Sequence, residues 1–248
     1  MVARATSALG EAVGKLFEEA VLEAVREDVE ARGHSIRPAR LKNGTGNTYQ
    51  IDAVVFNAND EPVIIIDPKY IRYSKHNRDK GSWLCVAHYN LRKTHQSIRK
   101  SIATLAGRWS DPSEDLIRSF GVEVLEVPFD QIADVLRTFG VEFDWPEAEG
   151  ERVARKSLQA FNRLEDSTKA EIGRRMVAGI ADSLRSEVVQ VLDTDLESIA
   201  TRVAEVEILL KTDQGEMVLS TFSSVTDAMK ALTDLVSDKP DIRAFMQS

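Results

Sequence analysis

Apolar residues recur at helical spacing near the start of the chain. Leu9, Val13, Leu16, Phe17, Ala20, Val21, Ala24 and Val25 share one stripe, which predicts an amphipathic helix over 9–31. Gly33, just past Arg32, supplies a left-handed stop. Asn43-Gly44-Thr45-Gly46-Asn47 reads as a turn. The pattern then shortens: Tyr49–Phe56 and Pro62–Tyr70 are strand-like, joined by Asn57-Ala58-Asn59-Asp60-Glu61. Val63-Ile64-Ile65-Ile66 is apolar on both faces, as a strand inside a sheet requires. Leu91, Ile98, Ile102 and Leu105 predict a helix over 86–106, Val122–Val127 a strand, and Asp130–Phe139 a short helix closed by Gly140. The character changes at Trp145-Pro146-Glu147, which predicts two domains, 1–147 and 148–248. In the second, 151–164 and 168–192 read as helices, the latter started by a Thr168/Glu171 capping box. Val203–Leu210 and Glu216–Phe222 flank a hairpin turn, and Val225, Ala228, Met229, Leu232 and Val236 mark a last helix. The fold class expected is α/β: a mixed-sheet core flanked by helices, followed by a mostly helical α+β region.

Composition narrows the function classes. The 248 residues are 43% apolar, enough for one large core or two smaller ones. No apolar run reaches the roughly 18–20 residues of a membrane span, so no membrane partner is expected. The opening residues show no signal-peptide pattern. Cys85 is the only cysteine and reads as buried and inert; alone it forms no intrachain disulfide and no cysteine metal cluster. The four histidines lack zinc-ligand spacing. A reducing, cytoplasmic compartment is the expectation.

The net charge of −8 conceals an asymmetry. Lys69–Arg108 holds ten basic residues against one acid, Asp79, while the remainder is strongly acidic. Such a window is either a polyanion-facing surface or a solvated basic face balanced by the rest of the protein. Charge alone favours neither.

The hairpin of residues 49–70 is more informative. A turn centred between Asn59 and Asp60 sets Asp52 across from Asp67. Two carboxylates about 5 Å apart repel by about 3 kcal/mol at an effective dielectric of about 20. A divalent cation would remove that cost. Lys69, two residues beyond Asp67, falls on the same face of its strand. The alternative is a pair of strand-end acids facing solvent or an arginine, with Lys69 as a salt-bridge partner.

Asp52, fourteen intervening residues, then Asp67-Pro68-Lys69 resembles the D…(D/E)-x-K signature of the PD-(D/E)XK superfamily, the restriction-endonuclease-like nucleases. Gly14-Lys15-Leu16-Phe17-Glu18 is similar to the helix motif preceding that hairpin, and the resemblance spans roughly residues 8–145. Two departures stand out. Asp52 follows Tyr49-Gln50-Ile51 inside a strand rather than a Gly or Pro turn, and Pro68, in the variable position, cannot donate to a sheet ladder.

The resemblance implies a restriction-endonuclease-like core and a divalent-metal-dependent DNA endonuclease, hydrolysing phosphodiester bonds to a 5′-phosphate and a 3′-hydroxyl. It implies Mg²⁺, with Mn²⁺ as substitute, held by Asp52, Asp67 and the Pro68 carbonyl. Lys69 would orient or deprotonate water, and Glu18 would assist with the metal. Arg72, Lys75, Arg78 and Lys80 in the following loop, and Arg92, Lys93, Arg99 and Lys100 on one helix face, are the candidate phosphate contacts. His88 and His95 read as structural, and Trp83 and Tyr89 as core aromatics. The expected partners are DNA and a second subunit, paired through 148–248. The competing reading is a catalytically silent nucleic-acid-binding or assembly module with the same fold.

Overall fold

A computed structural model describes residues 4–73, 77–145, 150–194 and 203–236. The chain forms two compact units, 1–193 and 194–248.

The first unit is a mixed α/β structure built on a five-stranded sheet. Its elements are α1 (Ala5–Glu30), β1 (Ser35–Lys42), β2 (Thr48–Phe56), β3 (Pro62–Ile71), α2 (Asn77–Thr94), β4 (Lys100–Gly107), α3 (Asp111–Ser119), β5 (Glu123–Pro128), α4 (Phe129–Thr138), α5 (Gly150–Asn162) and α6 (Asp166–Asp193). The strands lie in chain order; β1–β2 and β2–β3 are antiparallel, β3–β4 and β4–β5 parallel. Helices α1, α4, α5 and α6 cover one face, where Phe17, Ile64, Ile66, Ile102, Phe143 and Met176 share a core. Helices α2 and α3 cover the other, over Ile65, Leu91, Ala103 and Leu105. Among the described residues no helix is long and apolar enough to cross a membrane.

The stripe predicted on α1 is buried from Leu9 to Val29, and the helix ends as Gly33 turns through φ 73°. The β2–β3 ladder pairs Ala53 with Ile66, Val54 with Ile65 and Val55 with Ile64, which is the register the hairpin predicted.

Residues 86–106 are not one helix. Helix α2 runs from Asn77 to Thr94, and the chain re-enters the sheet as β4. Ala103, Leu105 and Ala106 are good helix formers, but β4 is a central parallel strand buried on both faces. Such a strand has no alternation to distinguish it, and tertiary context decides. Strand β1 and helix α3 have no counterpart in the predicted pattern.

The unit boundary lies at 193/194 rather than 147/148. The stripe on α1 is too wide for the sheet alone, and α6 completes its cover with Ile172, Met176, Val177, Ile180 and Leu184. Helix α6 begins at Asp166, and Glu171 pairs with Arg174 and Arg175 instead of closing a capping box. A chain ending at residue 193 is expected to keep native-like circular dichroism and dispersed amide resonances. One ending at 147 is expected to lose both, because it strips the outer face of α1.

The second unit is a hairpin, β6 (Val206–Lys211) and β7 (Met217–Phe222), with α7 (Val225–Val236). Phe222 and Ala228 are its buried apolar residues, with Ala231 and Leu235 against them. Of the predicted stripe Ala228 is buried, while Val225, Met229 and Leu232 are exposed; the side chain of Val236 is outside the described residues.

Candidate metal and phosphate site

Asp67 and Lys69 sit where β3 has outrun its neighbour. The ladder to β2 stops at Ala53–Ile66, while pairing with β4 continues to Ile71–Gly107. Pro68 falls in this stretch, so its missing N–H costs β2 no hydrogen bond. Asp52 sits at an irregularity of its own. Between the pairs Arg37–Val54 and Ala39–Ile51, Pro38 of β1 faces both Asp52 and Ala53. Such a bulge bends the strand and re-aims a side chain.

Both acids converge on one ammonium. Lys69 Nζ donates to Asp52 Oδ2 at 2.9 Å and to Asp67 Oδ1 at 2.5 Å. The two accepting oxygens are therefore no farther apart than those bonds laid end to end. Glu18 on α1 and Lys80 in the first turn of α2 join this group. Both line, with Gly14, Lys69, Tyr70 and Arg72, a surface cavity of about 670 Å³. Gly14 faces the Tyr70 ring, where a Cβ would make ordinary contact at 3.5 Å. Lys80 Nζ donates to the Tyr70 carbonyl at 3.0 Å.

The electrostatics divide the carboxylates. Burial raises the Asp52 carboxyl above its ordinary value, and Asp67 adds to this against the pull of Lys69. Burial also raises Glu18, with Asp52 the next cause. Asp67 is buried too, which pushes it up, but the His88 imidazole and Lys69 outweigh that and hold it below the usual range. Burial depresses Lys69, yet the two aspartates more than compensate and raise it to about 12. Lys69 is thus a cation at neutral pH, suited to orienting water and stabilising negative charge rather than removing a proton. Burial and the charge of Lys69 lower Lys80.

Glu18 gives a testable sign. A carboxyl raised in the folded state takes up protons on folding, so its contribution is most favourable at low pH and is lost as pH rises through the folded value. Glu18→Gln is therefore expected to have a higher urea midpoint than the wild type at pH 7. The advantage should shrink as pH falls below the carboxylate range.

The basic window is dispersed. Arg72 stacks on Trp145 at 3.8 Å and on Phe143 at 4.6 Å, so its guanidinium is largely committed to an aromatic cluster. Lys75 lies outside the described residues. Arg78 is exposed beside the first turn of α2. The expected face of Arg92, Lys93, Arg99 and Lys100 does not form, because α2 ends at Thr94. Arg92 donates to the carbonyls of Phe120 and Gly121, and Lys100 pairs with Glu187 at 2.6 Å and Glu123 at 3.5 Å. Arg99 is half-buried, while Lys93 is exposed. Trp83 and Tyr89 are not core residues: they stand 62% and 44% exposed on α2. Cys85 is buried as expected.

The donor set fits a hard cation. Asp52 and Asp67 bring oxygens to one point, Glu18 stands on the wall of the adjoining cavity, and the carboxyls of Asp52 and Glu18 are held partly out of water. Among the described residues no three His, Cys, Asp or Glu side chains stand close enough to hold a metal unaided. A pair of carboxylates completed by a backbone carbonyl and water suits Mg²⁺, which seldom takes an all-protein cage.

No protein-family model matches the chain. No curated protein matches it in sequence. A crystal structure described as a protein of unknown function, AF1548, aligns with 71% of this chain and 98% of its own at 13% identity and a TM-score of 0.32. Similarity of that extent carries no information about fold or activity.

Proposed function

We propose that the first unit has a restriction-endonuclease-like core and that the protein is a Mg²⁺-dependent DNA endonuclease. The observation that carries this reading is Lys69 bridging Asp52 and Asp67 at the end of β3, with Glu18 brought alongside by α1. Asp52, Asp67 and the Pro68 carbonyl would hold the metal, which when bound polarises the scissile phosphate and acidifies water. Lys69 holds its charge where negative charge develops. Lys80, on the cavity wall, takes a neighbouring phosphate oxygen. Subunit pairing, which two-strand cutting calls for, belongs to the same reading and is tested by light scattering with and without DNA.

The direct experiment is incubation of plasmid and genomic DNA with the protein, with and without Mg²⁺. Cleavage that requires Mg²⁺ and is lost in Asp67→Asn supports the reading. Absence of cleavage with retained DNA binding points to a silent binding module.

The dispersal of the basic residues sharpens a second expectation. With DNA binding measured in Ca²⁺, Lys80→Ala combined with Arg78→Ala should make the slope of log K against log salt shallower by about two units. Lys100→Ala should leave the slope unchanged, since Lys100 is spent on Glu123 and Glu187.

A further inference from the structure

His88 is fully buried on the face of α2 that packs against β3. Its Nε2 stands 3.5 Å from Asp67 Oδ2, while Lys69 takes Oδ1. Among the described residues neither ring nitrogen makes a well-formed hydrogen bond. The ring's neighbours on α2, Leu84, Ala87 and Leu91, are buried apolar residues. An imidazole placed there forfeits hydration for which a leucine would have nothing to lose, unless a specific contact offsets it. The contact within reach is the second oxygen of Asp67.

We infer that His88 is a positioning residue for Asp67: it donates Nε2–H toward Oδ2 and fixes the plane of the carboxylate. Lys69 cannot do this alone. It is shared with Asp52, and any movement of its ammonium toward substrate releases Oδ1. His88 is anchored in the core by α2 and does not move with it. A carboxylate whose plane is set from behind presents its remaining lone pairs in one direction, as ligands supported by an outer hydrogen bond do. The donor role also fixes which nitrogen must carry a proton, Nε2. The consequence for metal affinity rests on the proposed metal site; the contact itself does not.

Two measurements test this. In the wild-type protein without metal, the ¹⁵N shifts of the His88 ring should report a proton on Nε2. A ring protonated at Nδ1 alone overturns the inference, whether or not the protein cuts DNA. In titrations with Mn²⁺ followed by paramagnetic resonance, His88→Leu should weaken binding about 10–100-fold. His88→Gln, which keeps an N–H donor, should recover most of that affinity. Equal loss in both variants, or no loss in the leucine variant, would reduce His88 to packing. If the wild type binds Mn²⁺ with this pattern yet leaves DNA intact, the nuclease reading fails and the role of His88 stands. If it binds no Mn²⁺, the metal site fails and the ring tautomer decides.

Discussion

Lys69→Ala is expected to lower Mg²⁺-dependent cleavage by about 10²–10⁴-fold, the usual range for a side chain acting on a proton or charge in the transition state. The same substitution should cost folding stability, and that pairing of effects is the diagnostic. Lys69 is the cation that Asp52 and Asp67 share, and the Asp67 side chain is 4% exposed. Removing one partner of a buried ion pair leaves charge uncompensated at a cost of about 3–5 kcal/mol, or forces a carboxylate to take up a proton. A divalent cation binding both acids would restore part of that balance. Mg²⁺ should therefore raise the melting temperature of Lys69→Ala more than that of the wild type. Asp52→Asn should show the opposite stability effect: burial already strains its charge, so the variant melts no lower while losing activity. A Lys69→Ala protein that melts normally, ignores Mg²⁺ and cuts DNA at the wild-type rate would remove the site from consideration.

Gly107→Ala is expected to be the most damaging single methyl group in the first unit. Gly107 closes β4 with φ 105°, a backbone conformation that side chains rarely adopt. A Cβ built there would lie 1.8 Å from the Ile71 carbonyl oxygen, a backbone atom that cannot swing aside. That oxygen also accepts from the Arg108 amide at 3.0 Å, so the ends of β3 and β4 would have to part. A loss of about 3–5 kcal/mol follows, or about 10 °C in melting temperature for a unit of this size. Gly46→Ala is the control. It has φ 86° but nothing within 4 Å of the added atom, so it carries the backbone strain without the collision. The two should differ by several degrees in the same thermal scan.

The hairpin was legible because its information is local. Five turn residues and two apolar runs set the register, and the register placed Asp52 against Asp67 before any other element was known. Glu18 entered through the resemblance of Gly14–Glu18 to a helix motif, and α1 sets it on the wall of the cavity that Lys69 also lines. The β4 region was not. Ile102–Ala106 carries no period that separates a central parallel strand from a buried helix, and only its neighbours β3 and β5 decide. The misplaced helix carried the basic face with it, which is why Lys100 turned out to be a structural ion-pair partner. His88 was invisible for a different reason: a histidine on an apolar helix face has many ordinary explanations. What distinguishes this one is 3.5 Å to a carboxylate contributed by another element. The extent of the first unit also escaped, because the cover that α6 provides for α1 depends on residues some 150 positions apart.

The proline that faces the Asp52 bulge has a consequence at the rim of the sheet. Strand β1 is an outer strand, and an outer strand offers unpaired amides and carbonyls to any other chain that meets it. Strand β5 at the other edge lies against α6, but β1 is shielded by its own sequence. Arg37, Arg40 and Lys42 point charge outward along it, and Pro38 withholds a donor midway. The charges and the proline of β1 therefore keep the molecules from growing onto one another edge to edge, so the protein can be concentrated without seeding fibres from this rim.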